Sequence, residues 1–308
     1  MQNRTTLLTV TLIVLAAVVG YAVCRKPDSG VSTVAPKAPL QTGEPPTSGA
    51  VTRPPPGGEA AEAALQSVID KLIAKWNEID AVSVSFKTRL PEAAGSPGST
   101  LGTGKFDYVK IDAGIRIWYW MFNELWFDQE GGKKILTAEN LISVYDGEFL
   151  YQQVAQYEFL QTTKTRYHPD KILQIGGVEL FRRLRELNTL RPVGEETLTG
   201  SLIPKETEAP EETKGLEGRQ TAGDVGFLEG METYVIEATP KDGDWKETHW
   251  FDKETGIRVR LLQTGKEETP ALLLEVIGID LDPKFDDDHF VYKLPEGAEL
   301  IDRTKDEP

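Results

Sequence analysis

LQSVIDKLIAKWNEIDAVSVSF, residues 65–86, changes its apolar period part-way along. Leu65, Val68, Ile69, Leu72, Ile73, Trp76 and Ile79 recur at intervals of three, one, three, one, three and three, with Asp70, Lys71, Lys75 and Asn77 between them, which is the stripe of an amphipathic helix. Val82, Val84 and Phe86 then alternate with Ser83, Ser85 and Lys87, which puts the apolar groups on one face of a half-buried strand. A helix that runs straight into such a strand has a sheet to pack against.

Downstream, alternating or aromatic-rich runs at Lys105–Ile111, Ile115–Trp120, Glu124–Phe127, Leu141–Tyr145 and Glu148–Val154 predict further strands. The last two are joined by Asp146-Gly147, a two-residue hairpin signal, so the sheet is antiparallel. Helical spacing returns through Val178, Phe181, Leu184 and Leu187, with Pro192 beyond it as a stop, and predicts a second helix over 178–190. Residues 194–224, dense in Glu, Thr, Lys, Gly and Pro, read as a long mobile excursion or an irregular insertion, with room for a short strand at its start. Strands are expected again at Glu232–Ala238, Trp245–Phe251, Ile257–Gln263, Ala271–Asp280 and His289–Leu294, with Asp252–Gly256 as a hairpin loop closing on a left-handed glycine.

Upstream, Leu7 to Val23 carries no formal charge and is flanked by Arg4, Arg25 and Lys26. Its length sits at the lower edge of what spans the ~30 Å hydrocarbon core of a bilayer and just above an export-signal core, so a retained anchor and a cleaved signal both fit. Cys24, the sole cysteine, follows Tyr21, Ala22 and Val23 rather than a small residue, which favours a plain thiol over lipidation. Residues 27–58 are rich in Pro, Ser, Thr and Gly and have too few large apolar groups to fold, which predicts a flexible tether. The expected organisation is an anchor or signal over 1–26, the tether over 27–58, one extracytoplasmic domain over 59–302 and a disordered tail over 303–308.

The net charge of −15 and pI near 4.8 repel phosphate backbones, so nucleic acid is not expected as a partner. No disulfide or thiolate metal site is available inside the domain. His168, His249 and His289 lack metal-ligand spacing, and Asp286-Asp287-Asp288 reads as a solvated turn, so neither a cofactor nor a metal nor catalysis is expected.

The order of helix, Val82-Ser-Val-Ser-Phe86, Ala113-Gly-Ile-Arg-Ile-Trp118 and Asp146-Gly147 resembles the amino-terminal half of the LolA-like family of periplasmic lipoprotein carriers. Tyr234-Val-Ile-Glu-Ala-Thr-Pro240, Trp250-Phe-Asp-Lys-Glu-Thr-Gly256 and Phe290-Val-Tyr-Lys-Leu-Pro-Glu-Gly297 echo its carboxy-terminal half. The resemblance implies an α+β fold: an unclosed antiparallel β-barrel, or half-barrel, whose concave face is covered by helices and shelters the acyl chains of a lipidated protein or lipid. Alternation places Arg116, Trp118 and Trp120 on one face, a cation beside two large aromatics. Arg116 matches the family's arginine that helps control lid closure, and the implied lid around 178–190 brings Phe181 and Leu184 to the ligand. The plainer alternative is that these aromatics only fill the space between sheet and helix and that Arg116 is surface-exposed or sits in an ordinary ion pair. Two functions therefore follow: an envelope carrier or acceptor of acyl chains, or a protein-interaction or stress-sensing module on the same scaffold.

Overall fold

The computed structural model describes residues 58–90, 100–112, 114–129, 133–156, 159–166, 174–203, 228–243, 245–265 and 270–305. All lie in the second of the two units into which the chain divides, Met1–Val51 and Thr52–Pro308. The membrane segment, nearly all of the tether, residues 204–224 of the insertion and His168 fall outside the described residues. Among those described, no helix is long and apolar enough to cross a membrane.

Helix α1 spans Glu59–Asn77 and buries Leu65, Ile69, Leu72 and Trp76, the stripe read from the sequence. It leads into β1, Ala81–Leu90, where Val82, Val84 and Phe86 are buried and the residues between them are only half so. An antiparallel meander follows through β2 (Thr100–Ile111), β3 (Gly114–Gln129), β4 (Lys133–Tyr145), β5 (Phe149–Gln156) and β6 (Phe159–Arg166). Helix α2, Gly177–Leu187, opens a second meander through β7 (Asn188–Thr197), β8 (Glu232–Pro240), β9 (Lys246–Asp252), β10 (Arg258–Thr264) and β11 (Pro270–Asp280). Strand β1 pairs with β11 and so joins the two meanders, while β12 (Glu299–Asp302) pairs with β6. The resulting order, β12-β6-β5-β4-β3-β2-β1-β11-β10-β9-β8-β7, ends on β12 and β7, so the twelve-stranded sheet is unclosed.

The turns follow local chemistry. Asp146 accepts the N–H groups of Glu148 and Phe149 on its carboxylate, and Gly147 at φ +107° closes the hairpin. Asp252 accepts from Thr255 in the same manner, and Gly256 at φ +71° passes beneath α1, where an added Cβ would lie 2.2 Å from the Leu72 carbonyl oxygen. The two helices meet the sheet in one apolar cluster of Leu65, Ile69, Leu72, Leu180, Phe181, Leu184, Ile236 and Phe251.

Four expectations are corrected. The separate runs at Ile115–Trp120 and Glu124–Phe127 form one continuous strand, β3. The second helix stops at Leu187, and β7 runs on through Pro192, which a sheet edge tolerates because no neighbour needs its missing N–H; the register shifts between Pro192 and Gly194. Residues 289–294 are not a strand. Their alternating aromatics fasten an irregular segment across β2–β6, and the last strand is β12, which is parallel to β6 rather than antiparallel.

Candidate functional site on the helix side of the sheet

Strict alternation gives the sheet two chemically distinct faces. On the helix side, cross-strand registers align Val82 with Tyr108 and Ile117, Val84 with Phe106 and Tyr119, and Phe86 with Gly104, Met121 and Leu141. Trp76 of α1 rests on Tyr108 with ring centroids 5.2 Å apart, which identifies this as the face beneath the helix. Phe86 stacks on Tyr119, and Tyr119 donates its hydroxyl to the Met121 sulfur at 3.2 Å. Burial and the nearby Glu139 hold that phenol far above its ordinary range.

One register step further along the same face, the side chains turn polar. Thr88 pairs with Gly102, Gly102 with Asn123, and Asn123 with Glu139, so four adjacent strands carry one row. A Cβ on Gly102 would sit 2.3 Å from Thr88 Oγ1 and 2.5 Å from Asn123 Oδ1, so only glycine leaves room for both to lean over it. Asn123 donates from Nδ2 to Glu139 Oε2 at 3.3 Å. Glu139 is 1% exposed, its Oε1 has no hydrogen-bond partner among the described residues, and burial raises its carboxyl above the usual range against the lowering effect of Asn123.

The residues singled out from the sequence divide between the two faces. Arg116, Trp118 and Trp120 do share a face, but it is the one opposite Ile117, Tyr119 and Met121 and therefore away from α1. Arg116 donates from Nε to the Asp146 carbonyl at 3.0 Å and so holds the β4–β5 turn. Trp118 packs 5.5 Å from the His289 ring, and Trp120 is buried. Phe181 and Leu184 lie in the helix–sheet cluster, where Phe181 meets Phe251 at 5.0 Å. The structure thus brings Phe181 and Leu184 together and does not join them to the other three.

The outer face is fastened by polar ties. His289 Nε2 lies 2.8 Å from Asp107 Oδ2, and Tyr292 stacks on Tyr151 at 4.9 Å while donating to Gln153 at 2.9 Å. The buried Arg260–Glu275 pair, at 2.9 Å, is sealed by residues 200–202: Gly200 accepts from Arg260 at 2.7 Å, and Leu202 donates to Glu275 at 2.9 Å. On the helix side, His249 lies 3.0 Å from Glu247, and burial holds its imidazole below the ordinary value. Burial also brings Arg258 down to about 10; its guanidinium donates to the Gln174 carbonyl at 2.9 Å, and its backbone N–H to that of Ile175 at 2.7 Å. Strand β10 therefore anchors the residues that lead into α2. Among the described residues no group of three or more His, Cys, Asp or Glu is placed to hold a metal ion.

The chain is similar to a solved lipoprotein-sorting domain. That structure, a putative outer membrane lipoprotein-sorting protein domain from Vibrio parahaemolyticus, matches at 8% identity and a TM-score of 0.32, over 73% of this chain and 95% of that one. An uncharacterized conserved protein from Thermus thermophilus matches at 9% identity and a TM-score of 0.39, over 78% and 99%. A crystal structure of MucB matches at 11% identity and a TM-score of 0.35, over 76% and 69%. Likenesses of this size assign no ligand and no activity. Neither a family model nor a curated protein matches the chain.

Proposed function

We propose that this chain is a non-catalytic binding protein of the cell envelope, exported or anchored through residues 7–23, that takes the acyl chain of a lipid or lipidated protein against the helix-side face of β1–β5. The observation that carries this reading is the extent of that face. Two helices, Glu59–Asn77 and Gly177–Leu187, face a sheet of twelve strands. Phe86, Phe106, Tyr119, Met121 and Leu141 continue the apolar surface across four strands. Burying acyl carbon there is worth about 0.8 kcal/mol per methylene and needs no covalent step.

These side chains are closed to water in this structure, so entry requires the layer over them, which includes Trp76 of α1 at Tyr108, to move. Helix α2 itself sits over Ile236 of β8 and Phe251 of β9. It hangs from Gly176 and Gly177, has no side-chain N-cap, and is seated through Leu180, Phe181 and Leu184.

The same burial favours a second reading, an interaction module that keeps its helix side packed and meets a protein partner with its outer surface. Native mass spectrometry of the full chain from an envelope-containing host, with organic extraction, separates the two. A co-purifying amphiphile is expected; an empty chain that also refuses a fluorescent fatty acid would support the interaction module instead.

A further inference from the structure

The polar row beside the Phe86, Met121 and Leu141 row is an anomaly that packing does not account for. Thr88, Asn123 and Glu139 come from three strands, share the face of Phe86, Met121 and Leu141, and lie at 4%, 1% and 1% exposure. Burying a carboxyl costs heavily unless its oxygens are satisfied, and Asn123 reaches only one of the two. Glu139 Oε1 is buried and has no partner among the described residues. An acceptor so placed can take a donor brought from outside.

We propose that this row is the headgroup position beside the acyl site and that Glu139 Oε1 accepts from an N–H or ammonium donor, so that a chain ending in an amine or amide is bound in preference to one ending in a carboxylate. The proposal rests on the acyl-binding reading of the same face and adds to it the chemistry of the ligand's polar end. Geometry supports the pairing. The row lies two residues along each strand from the Phe86, Met121 and Leu141 row, so a chain lying over those side chains delivers its terminal group to Glu139. A fatty acid in the same place would bring a second carboxylate against the first, whereas an amine turns the orphaned oxygen into a charge-assisted contact.

The test is calorimetric titration of the full chain, held in amphipol, with decylamine and with decanoate. It is done in about 0.3 M salt so that attraction to the acidic surface is screened. Decylamine is expected to bind about tenfold more tightly than decanoate, the worth of one hydrogen bond to a charged group. Glu139→Gln is expected to bring the two within about threefold, and Glu148→Gln, which removes an exposed carboxylate, to leave the ratio unchanged. Should Glu139→Gln not fold, Asn123→Ser provides the second test, with the preference reduced because the Glu139 carboxyl loses the amide that orients it. Equal affinities, a preference for decanoate, or a ratio insensitive to Glu139 and Asn123 would overturn the headgroup proposal while leaving acyl binding in place. Failure of both probes to bind would overturn both.

Discussion

Trp76 packs directly on Gly177. A Cβ there would lie 2.7 Å from the indole Nε1, and Gly177 sits at φ +83°, so contact and backbone both demand glycine. The pair pins the start of α2 to the end of α1. Gly177→Ala is expected to destabilise the fold by about 2–3 kcal/mol, from left-handed strain plus displacement of the indole. Gly200→Ala, at φ +72° with nothing within 4 Å, carries the strain alone and is expected to cost about 1 kcal/mol. Urea unfolding of the two variants measures the difference; equal costs would show that the Trp76 contact is slack.

Phe181 and Val178 lie on the same helix, one buried against Phe251 and the other 58% exposed. Phe181→Ala is expected to cost about 3–5 kcal/mol through the cavity it leaves. Val178→Ala should stay within about 0.5 kcal/mol. Thermal unfolding of the two variants checks the orientation of α2.

Removing the Glu275 carboxylate with Glu275→Ala leaves the Arg260 guanidinium buried without it and frees the Leu202 N–H. The expected cost is about 3–5 kcal/mol. Replacing both partners, as Arg260→Met with Glu275→Leu, is expected to recover most of it. The same single variant should raise proteolytic cleavage near Ser201, since residues 200–202 are held by this pair.

His249 supplies a pH test. Burial lowers its folded-state pKa, so the unfolded chain takes up a proton that the fold does not. Its contribution to stability is fully present above the unfolded value of about 6.5 and is lost as pH falls through it toward the depressed folded value, at up to about 1.4 kcal/mol per pH unit. Glu139 has the opposite sign, because a raised carboxyl holds its proton in the fold and loses stability as pH rises through the folded value. Comparing melting temperatures at pH 7.5 and 5.5 in the native chain and in His249→Gln isolates the imidazole. The native chain is expected to lose more on acidification than the variant.

Local chemistry made much of the fold legible in the sequence. The 3.6-residue stripe of α1, the alternation of β1, the Asp146-Gly147 hairpin and the Asp252–Gly256 loop each declare themselves within a few residues. Strand β6 did not, because after Phe159 and Leu160 it is polar on both faces, and it is paired on either side by β5 and β12. The aromatics of 289–294 imitated a strand because they alternate, yet they serve to fasten a coil to Asp107, Tyr151 and Gln153. The site was the least legible part. Alternation grouped Arg116, Trp118 and Trp120 correctly but could not tell which face the helices cover. The Thr88, Asn123 and Glu139 row exists only through the registers of four strands, which no single stretch of sequence encodes.

The most direct test of the central claim is to photolyse a fatty acid carrying a diazirine at mid-chain on the full-length protein and map the labelled peptides. Acyl binding under the helices predicts adducts on helix-side residues such as Phe106, Tyr119, Met121 and Leu141, suppressed by unlabelled competitor. Labelling confined to the outer face around Trp118 and His289, or no competed labelling at all, would contradict it.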